Sequence, residues 1–382
     1  MALDEEILAL PFYDPAHLDL AKRIEDWCAS NTALWNANGD PEHTGRAIQR
    51  ALGADGWFAF LDPAEESTMD LRSLCLAREA LAYADDLADH AFAIQALAAH
   101  PIARFGTQPQ QARYLPRIAA GELISSFALS EPEHGSDVAG LALTARRTAG
   151  GYVLDGSKAW IANGSTAGLH CVVARTGDGP GALGLTAFLV PADTPGVRVA
   201  ERVAMIAPRP LAHLEFTGCR VGDDAVLGKP GGGFAVAMDL LDRFRMTVGA
   251  AAVGFARRAA DAALSRARTR PLGDGRLFDL PTIRTTLADI RIKLNAAALL
   301  VARAAWEADT GNRRFAHHSS IAKAYATEAA QEIVDACVQI FGAAGLVSDS
   351  VPERLYRQIR SLRIYEGTTE IQKAVIATTL PR

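Results

Sequence analysis

The sequence lacks the features that mark secreted, membrane-spanning and nucleic-acid-binding proteins. It has 5 cysteines in 382 residues, widely spaced and without a C-x-x-C pair, so neither a disulfide framework nor a zinc site is indicated. No apolar run approaches the ~18 residues of a membrane span. The net charge of −5 gives no sign of a nucleic-acid partner. Because residues 1–6 are acidic rather than basic, we expect no secretory signal and a cytoplasmic protein.

Common catalytic signatures are also missing, since the chain has no G-x-S-x-G, P-loop or H-E-x-x-H motif. Gly179, Gly181 and Gly184 match G-x-G-x-x-G, but a strand-like run follows them instead of a helix. We interpret that segment as a hairpin loop. His317 and His318 are adjacent and would face different directions on a helix, so we expect them at the surface rather than on a metal.

The apolar pattern changes twice along the chain. Residues 1–124 are rich in Ala and Leu and read as helices, residues 125–230 hold short apolar runs between Gly/Pro-rich loops, and residues 231–382 are helical again. We therefore predict an α+β protein of three domains with these bounds: an N-terminal helical domain, a middle β domain and a C-terminal helical bundle.

Two local patterns add detail. Asp155 and Gly156 stand between apolar runs, and this dipeptide is favoured in two-residue turns, so it predicts a hairpin. Apolar residues at positions 283, 287, 290, 294 and 301 follow helical spacing over several turns. They predict one long amphipathic helix.

A lone carboxylate, Glu366, lies in the stretch RIYEGTTEIQ just before a predicted helix. Thr369 and Gln372 have the spacing of a capping box at the start of that helix. Because acids also stabilise helix N-termini through the helix dipole, the residue type alone leaves a capping role and a catalytic role open.

A second unusual stretch, FALSEPEHGSD, joins an apolar strand to a turn-rich loop at the start of the β region. Gly135 permits close approach of a ligand to the backbone, and Ser136 with its neighbouring amides could serve phosphate or amide groups. Farther on, Trp160 in KAWIANG offers a flat apolar face, although a tryptophan in a strand is more often part of the core.

Taken in order, these stretches resemble the acyl-CoA dehydrogenase family. The similarity runs from ARFGTQPQQARYLPRIAAGELISSFALSEPEHGSD through WIANG, LDRFR and VQIFGAAG to YEGTTEIQ, and it covers nearly the whole chain from about residue 75. The resemblance implies an N-terminal all-α domain, a central antiparallel β-barrel-like domain and a C-terminal four-helix bundle. It also implies FAD bound between the last two domains and against a neighbouring subunit of a homotetramer, a dimer of dimers.

The resemblance assigns roles to individual positions. Glu366 matches the base that removes the α-proton of an acyl thioester, while the β-hydrogen leaves as hydride to flavin N5. The positions that match cofactor contacts are Phe127, Leu129, Ser130, Ser136, Trp160, Ile161, Ala162, Arg268, Gln339, Gly342, Ala343, Thr368 and Glu370. The positions that match substrate contacts are Ser136, Asp242, Arg245 and Gly367. The register of the arginine segment is ambiguous, and we choose Arg268 over Arg266 and Arg270.

The sequence departs from the family pattern at three of the positions that face the cofactor or substrate. Ala162 replaces a Thr or Ser whose hydroxyl binds flavin N5, and Ala207 and Thr378 replace arginines on the substrate side. Phe244 occupies the place where other branches carry their base, so Glu366 is the one candidate base that remains. The two missing arginines leave open whether the thioester carrier is CoA or an acyl carrier protein.

Three functions stay open at this point. The leading one is an FAD-dependent acyl thioester dehydrogenase that passes electrons to an electron-transferring flavoprotein or another acceptor. The second is an oxygen-using flavin oxidase or monooxygenase on the same fold. Glu366 argues against the monooxygenase, because hydroxylation through a flavin peroxide needs no α-proton base. The third is a helical assembly protein without cofactor, against which the intact FAD stretches argue.

Overall fold

The computed structural model describes residues 3–35, 40–61, 70–177, 179–312 and 314–380. The chain divides into two compact units, one made of Met1–Ala33, Asp70–Asp89 and Asp242–Arg382, the other of Leu34–Met69 and His90–Leu241. Each unit therefore joins segments that are distant in sequence. The three domain boundaries expected from the sequence stay a prediction.

Helices occupy both ends of the chain, as the Ala- and Leu-rich texture predicts. They are α1 Glu5–Leu8, α2 Pro15–Ser30, α3 Pro41–Ala54, α4 Leu71–Ala84, α5 Asp86–Phe105, α6 Gln108–Ala119, α7 Gly233–Thr269, α8 Pro281–Asp309, α9 Phe315–Phe341, α10 Val351–Ile359 and α11 Thr369–Ala377. The long helix predicted from residues 283–301 is confirmed as α8, with Ile290, Leu294 and Val301 buried. Within the described ranges, no helix has both the length and the apolar character needed to cross a membrane.

Strands occupy the middle of the chain. They are β1 Ser125–Ala128, β2 Thr144–Thr148, β3 Gly151–Ala162, β4 Leu169–Arg175, β5 Leu185–Pro191, β6 Val197–Val203, β7 Leu211–Gly222 and β8 Val226–Leu227, with a short separate pair of β9 Pro271–Leu272 and β10 Gly275–Arg276. The strand order in the large sheet is β6-β7-β3-β2-β4-β5-β8, and β1 pairs with β4. The predicted order of helices, β domain and helices is confirmed.

The sheet is not purely antiparallel as expected, and its barrel-like form stays a prediction. Its β1–β4 and β2–β4 pairs are parallel, with β1 opposite Leu169–Val172 and β2 opposite Arg175. In the part of the chain that the structure describes, the path is open, with β6 and β8 as its ends. Tyr152, Phe188 and Phe216 lie in the apolar core of this sheet.

One hairpin prediction is wrong and the other is confirmed. Asp155 and Gly156 lie inside β3, where the pairing with β7 shifts register between Leu154 and Gly156. Gly156 has a φ of 138°, which suits a bulge as well as a turn. The hairpin turn lies earlier, at Ala149 and Gly150, between β2 and β3. The loop with Gly179, Gly181 and Gly184 does join two antiparallel strands, β4 and β5.

Helices α4 and α7 approach each other closely, which places the residues of the site described next. A Cβ atom at Gly254 of α7 would overlap the backbone carbonyl of Glu79 in α4. Glycine therefore permits a backbone-to-backbone contact there. The neighbouring Arg257 of α7 is buried and forms an ion pair with Glu79.

Candidate active site

The loop that carries Glu366 has an unusual backbone. Glu366 has a φ of 54° and Gly367 a φ of 88°, so two successive residues are left-handed. A non-glycine residue in this region is strained, and such strain is typical of functional loops. A Cβ atom at position 367 would also lie 2.6 Å from the side-chain Nε2 of Gln372. The positive φ therefore favours glycine at the position after Glu366.

The predicted capping box is displaced by one residue. Thr368, not Thr369, is the N-cap of α11, and its hydroxyl accepts a hydrogen bond from the Ile371 amide at 3.4 Å. Thr369 donates its hydroxyl to Glu328 at 2.6 Å. Gln372 donates its side-chain amide to the carbonyls of Glu366 at 3.1 Å and Gly367 at 2.9 Å. Gln372 thus holds the loop and Thr369 binds to α9, so neither forms the predicted capping box.

A buried lysine forms the other support of the loop. Lys323 lies on α9 and is 1% exposed. Its ammonium group donates to the backbone carbonyls of Tyr365 and Gly367, the two neighbours of Glu366. The sequence stretch SSIAKAYA gave no reason to connect this lysine with the loop.

The half-buried side chain of Glu366 lies among charged groups. Its Oε2 is buried and has no hydrogen-bond partner in the described ranges. Burial raises the pKa of the Glu366 carboxyl above its ordinary value, and Asp89 adds to the rise. The cations Arg78, Lys323 and Arg245 oppose it. The result is a carboxylate suited to exchange protons closer to neutral pH than an exposed glutamate.

Two of these cations have carboxylate partners of their own. Arg78, 2% exposed, forms a bidentate ion pair with Asp89 at 2.8 and 2.9 Å and also donates to the hydroxyl of Thr247 at 2.8 Å. Arg245 donates to Asp242 at 2.7 Å and is 5% exposed. The predicted pair of Asp242 and Arg245 is therefore brought together, and its contact with substrate stays a prediction.

The Arg78–Asp89 pair was missed by the sequence reasoning. A signal was available, because Arg78 stands in SLCLAREALAYA among apolar residues on every helical face. Phe244, at the position of the alternative base, is fully buried in α7.

The flavin-side residues predicted in the β region lie at the end of β1, in the loop that follows it, and at the end of β3. Trp160 has a φ of 55° and is 48% exposed, so its indole is not a core residue. Its ring meets His213 edge to face at 5.6 Å. Ile161, in contrast, is buried in the core of the sheet, so its side chain faces away from solvent. Ala162 is half-buried.

Hydrogen bonds from β3 hold the FALSEP segment in place. Lys158, fully buried, donates to the carbonyl of Leu129 and to the carboxylate of Glu131, both at 2.8 Å. The amide of Ala159 donates to the carbonyl of Ser130 at 2.9 Å. Phe127 and Ser130 are half-buried, whereas Ser136 is exposed on the loop that follows.

The arginines at the end of α7 have different neighbours. Arg266 lies over the ring of Phe341 at 5.6 Å, and a Cβ at Gly342 would lie 3.8 Å from Arg270. The guanidinium of Arg268 instead lies over Phe278 at 5.7 Å. Arg266 thus lies beside Phe341 and Arg270 beside Gly342, while our choice of Arg268 stays a prediction. Gln339, Ala343 and Glu370 are exposed, and Thr368 is half-buried.

The two adjacent histidines are not surface residues as expected. His317 and His318 are both half-buried, and His318 contacts Glu307 and Arg303 of α8. Among the described residues, no group of His, Cys, Asp and Glu side chains could hold a metal ion.

The sequence matches three domain models of acyl-CoA dehydrogenases: the N-terminal domain over residues 14–122, the middle domain over 126–219 and the C-terminal domain over 231–380. The chain is 39% identical over 284 residues to the human mitochondrial short-chain specific acyl-CoA dehydrogenase, which covers 74% of this chain and 69% of that protein. Its fold is similar to butyryl-CoA dehydrogenase from Megasphaera elsdenii, with a TM-score of 0.89 and 29% identity over 97% of this chain and 99% of that one. It is also similar to the prolyl acyl carrier protein oxidase AnaB, with a TM-score of 0.88 and 25% identity over 97% and 100%.

The protein is thus a flavin-dependent oxidoreductase. It belongs to the acyl-CoA dehydrogenase family, as the order of sequence motifs indicates.

Proposed function

We propose that the protein catalyses the FAD-dependent α,β-dehydrogenation of an acyl thioester, with Glu366 as the base that removes the α-proton. The observation that carries this proposal is the buried Oε2 of Glu366, which has no partner in the described ranges and lies on a strained loop. The α C–H of a thioester is a very weak acid, so its removal needs a positioned base and stabilisation of the carbonyl oxygen.

Both requirements can be met by the loop itself. The raised pKa of Glu366 brings its basicity closer to that needed at neutral pH. The backbone N–H of Glu366 donates to no acceptor in the described part of the chain, and we assign it to the thioester carbonyl. As the α-proton leaves, this N–H would stabilise the developing enolate oxygen.

The residues of the β region fit a planar aromatic cofactor. The exposed indole of Trp160 offers a flat apolar face, and a Cβ at Gly135 would meet no atom within 4 Å, which leaves room on the loop beside it. Phe127, Leu129, Ser130 and Ser136 would hold the cofactor together with Trp160. Bound FAD would supply the acceptor for the hydride that leaves the β-carbon. Ala162 offers it no hydroxyl, and Ile161 could contribute only backbone atoms.

We expect the purified protein to be yellow, with about one FAD per chain, and to be a homotetramer. Arg268, Gln339, Gly342, Ala343, Thr368 and Glu370 are proposed to contact FAD, several of them that of a neighbouring subunit. Flavin absorbance per chain and sedimentation velocity measure the two properties. A monomer that retains FAD tightly would contradict the assembly, and a colourless protein would contradict the cofactor. The cytoplasmic location stays a prediction.

A carrier-protein thioester is a second candidate substrate. One observation favours it: AnaB, a structural relative, is by name an acyl carrier protein oxidase. Two positions agree, since Ala207 is buried and Thr378 turns its hydroxyl back to the carbonyl of Val375 at 2.6 Å, so neither provides a cation. A carrier protein brings a phosphopantetheine arm without the adenosine 3′-phosphate of CoA, and arginine is the usual ligand for such phosphates.

One anaerobic experiment compares the two carriers. We expect a matched pair of acyl-CoA and acyl carrier protein thioesters to bleach the flavin at different rates, with CoA as the leading substrate. If only carrier-protein forms bleach it, the second candidate is right; if neither does over a range of chain lengths, the proposed function is wrong. Admitting oxygen after reduction then tests an oxidase, because an oxidase passes the two electrons of the reduced flavin to O₂ and forms H₂O₂.

A further inference from the structure

Lys323 is a buried cation whose hydrogen bonds, in the described part of the chain, go to backbone carbonyls and not to a carboxylate. A buried ammonium group without a carboxylate contact is costly, so its presence calls for a physical reason. Its two acceptors, the carbonyls of Tyr365 and Gly367, are the peptide groups on either side of Glu366.

The backbone between these acceptors is the strained one. Glu366 at φ 54° and Gly367 at φ 88° turn the chain so that the carbonyls of residues 365 and 367 point at one ammonium group. Gln372 binds the carbonyl of Glu366 and shares that of Gly367. Side chains from α9 and α11 thus fix three successive peptide groups of the loop.

The charges facing Glu366 are not equivalent. Arg78 of α4 is paired with Asp89 of α5, and Arg245 of α7 is paired with Asp242. Lys323 has no such pair in the described residues, and Glu366 is the carboxylate whose field it feels. Burial lowers the pKa of Lys323 to about 8, while Glu366 opposes that shift. Lys323 is therefore the cation that is not already neutralised beside the carboxylate.

We propose that Lys323 is the positioning residue of this loop: it holds Glu366 in the left-handed conformation and supplies the counter-charge that keeps its carboxylate ionised. The role rests on the proposed function of Glu366 as a base. It has two separable parts, because the hydrogen bonds need N–H donors and the counter-charge needs a cation.

Two variants of the holoenzyme separate the parts. Lys323→Met removes donors and charge, whereas Lys323→Gln removes the charge and keeps an N–H₂ group. The carboxyl of Glu366 is titrated by infrared difference spectroscopy, with its signal assigned by its loss in Glu366→Gln. Both variants should raise the pKa of Glu366 by about 1 to 3. Lys323→Met should lower the rate of flavin reduction by about 100-fold, as expected for a misplaced base. At a pH above the new pKa of Glu366, Lys323→Gln should reduce its flavin about tenfold faster than Lys323→Met.

Lys373→Gln is the matched control, since Lys373 is exposed on α11 and its loss should change neither quantity. If the pKa of Glu366 is unchanged in both Lys323 variants, Lys323 does not act as its counter-charge. If Lys323→Met and Lys323→Gln reduce the flavin at equal rates, the positioning role is wrong. If Lys323→Met does not fold, Lys323→Gln tests both parts: its titration tests the counter-charge, and its rate of flavin reduction above the new pKa, expected about tenfold below wild type, tests the positioning role, which a wild-type rate would overturn. That titration needs no substrate, so it still tests Lys323 if no thioester reduces the flavin and the proposed function fails.

Discussion

Glu366→Gln should keep FAD bound and lower the anaerobic rate of flavin reduction by about 10²- to 10⁴-fold, the usual contribution of a positioned base. Glutamine has nearly the same shape but cannot accept the α-proton. The loop should persist, because Lys323 and Gln372 bind backbone carbonyls rather than the Glu366 side chain. Stopped-flow absorbance with the best thioester substrate measures the rate, and flavin absorbance per chain measures retention of FAD.

The pH profile provides a second measure of the same group. A base acts when ionised, so the wild-type rate falls as pH falls through the pKa of Glu366, and burial places this fall above the ordinary value of a glutamate. Glu366→Gln should lose this acid limb. Glu332→Gln, on the exposed side of α9, makes the same chemical change and should leave rate and profile unaltered. Wild-type bleaching by Glu366→Gln would mean that the base is elsewhere.

The order of helical and β segments could be predicted because apolar spacing is a local property. Turn and cap registers could not. Asp155-Gly156 suits a hairpin turn or a bulge, and the choice is made by β7, some 60 residues later. Thr368 and Thr369 both carry a hydroxyl that could cap α11. Thr368 is the cap because the hydroxyl of Thr369 donates to Glu328, which is distant in sequence. Where two local solutions have similar free energies, long-range contacts select one.

The candidate site shows the same limit. Glu366 and Trp160 were found because their motifs are contiguous in sequence. Lys323 was missed because its acceptors lie 42 and 44 residues away, and a lysine on an amphipathic helix is usually exposed. Arg78 could have been suspected from its apolar surroundings, but its partners Asp89 and Thr247 follow from packing of separate helices.

Asp89→Asn should destabilise the protein by about 3 to 5 kcal/mol, because it leaves the buried guanidinium of Arg78 without a counter-charge. Asn is isosteric with Asp, so no cavity is created, and both partners of the pair are 2% exposed in the wild type. Urea unfolding followed by circular dichroism measures the loss. Glu332→Gln is again the control: it breaks an exposed pair with Lys293 and should change stability by less than about 1 kcal/mol.

The double variant Arg78→Met, Asp89→Leu separates charge from shape. Apolar replacement of a buried ion pair is often neutral, so it should recover most of the lost stability. Thr247 remains satisfied, since its hydroxyl also donates to the carbonyl of Phe244 at 2.8 Å. A double variant as unstable as Asp89→Asn would assign the loss to packing.

Asp89→Asn should also lower the pKa of Glu366, because an anion that raises it is gone. This shift is opposite in sign to that of Lys323→Gln, so the two variants together test whether the surrounding charges set the ionisation of Glu366.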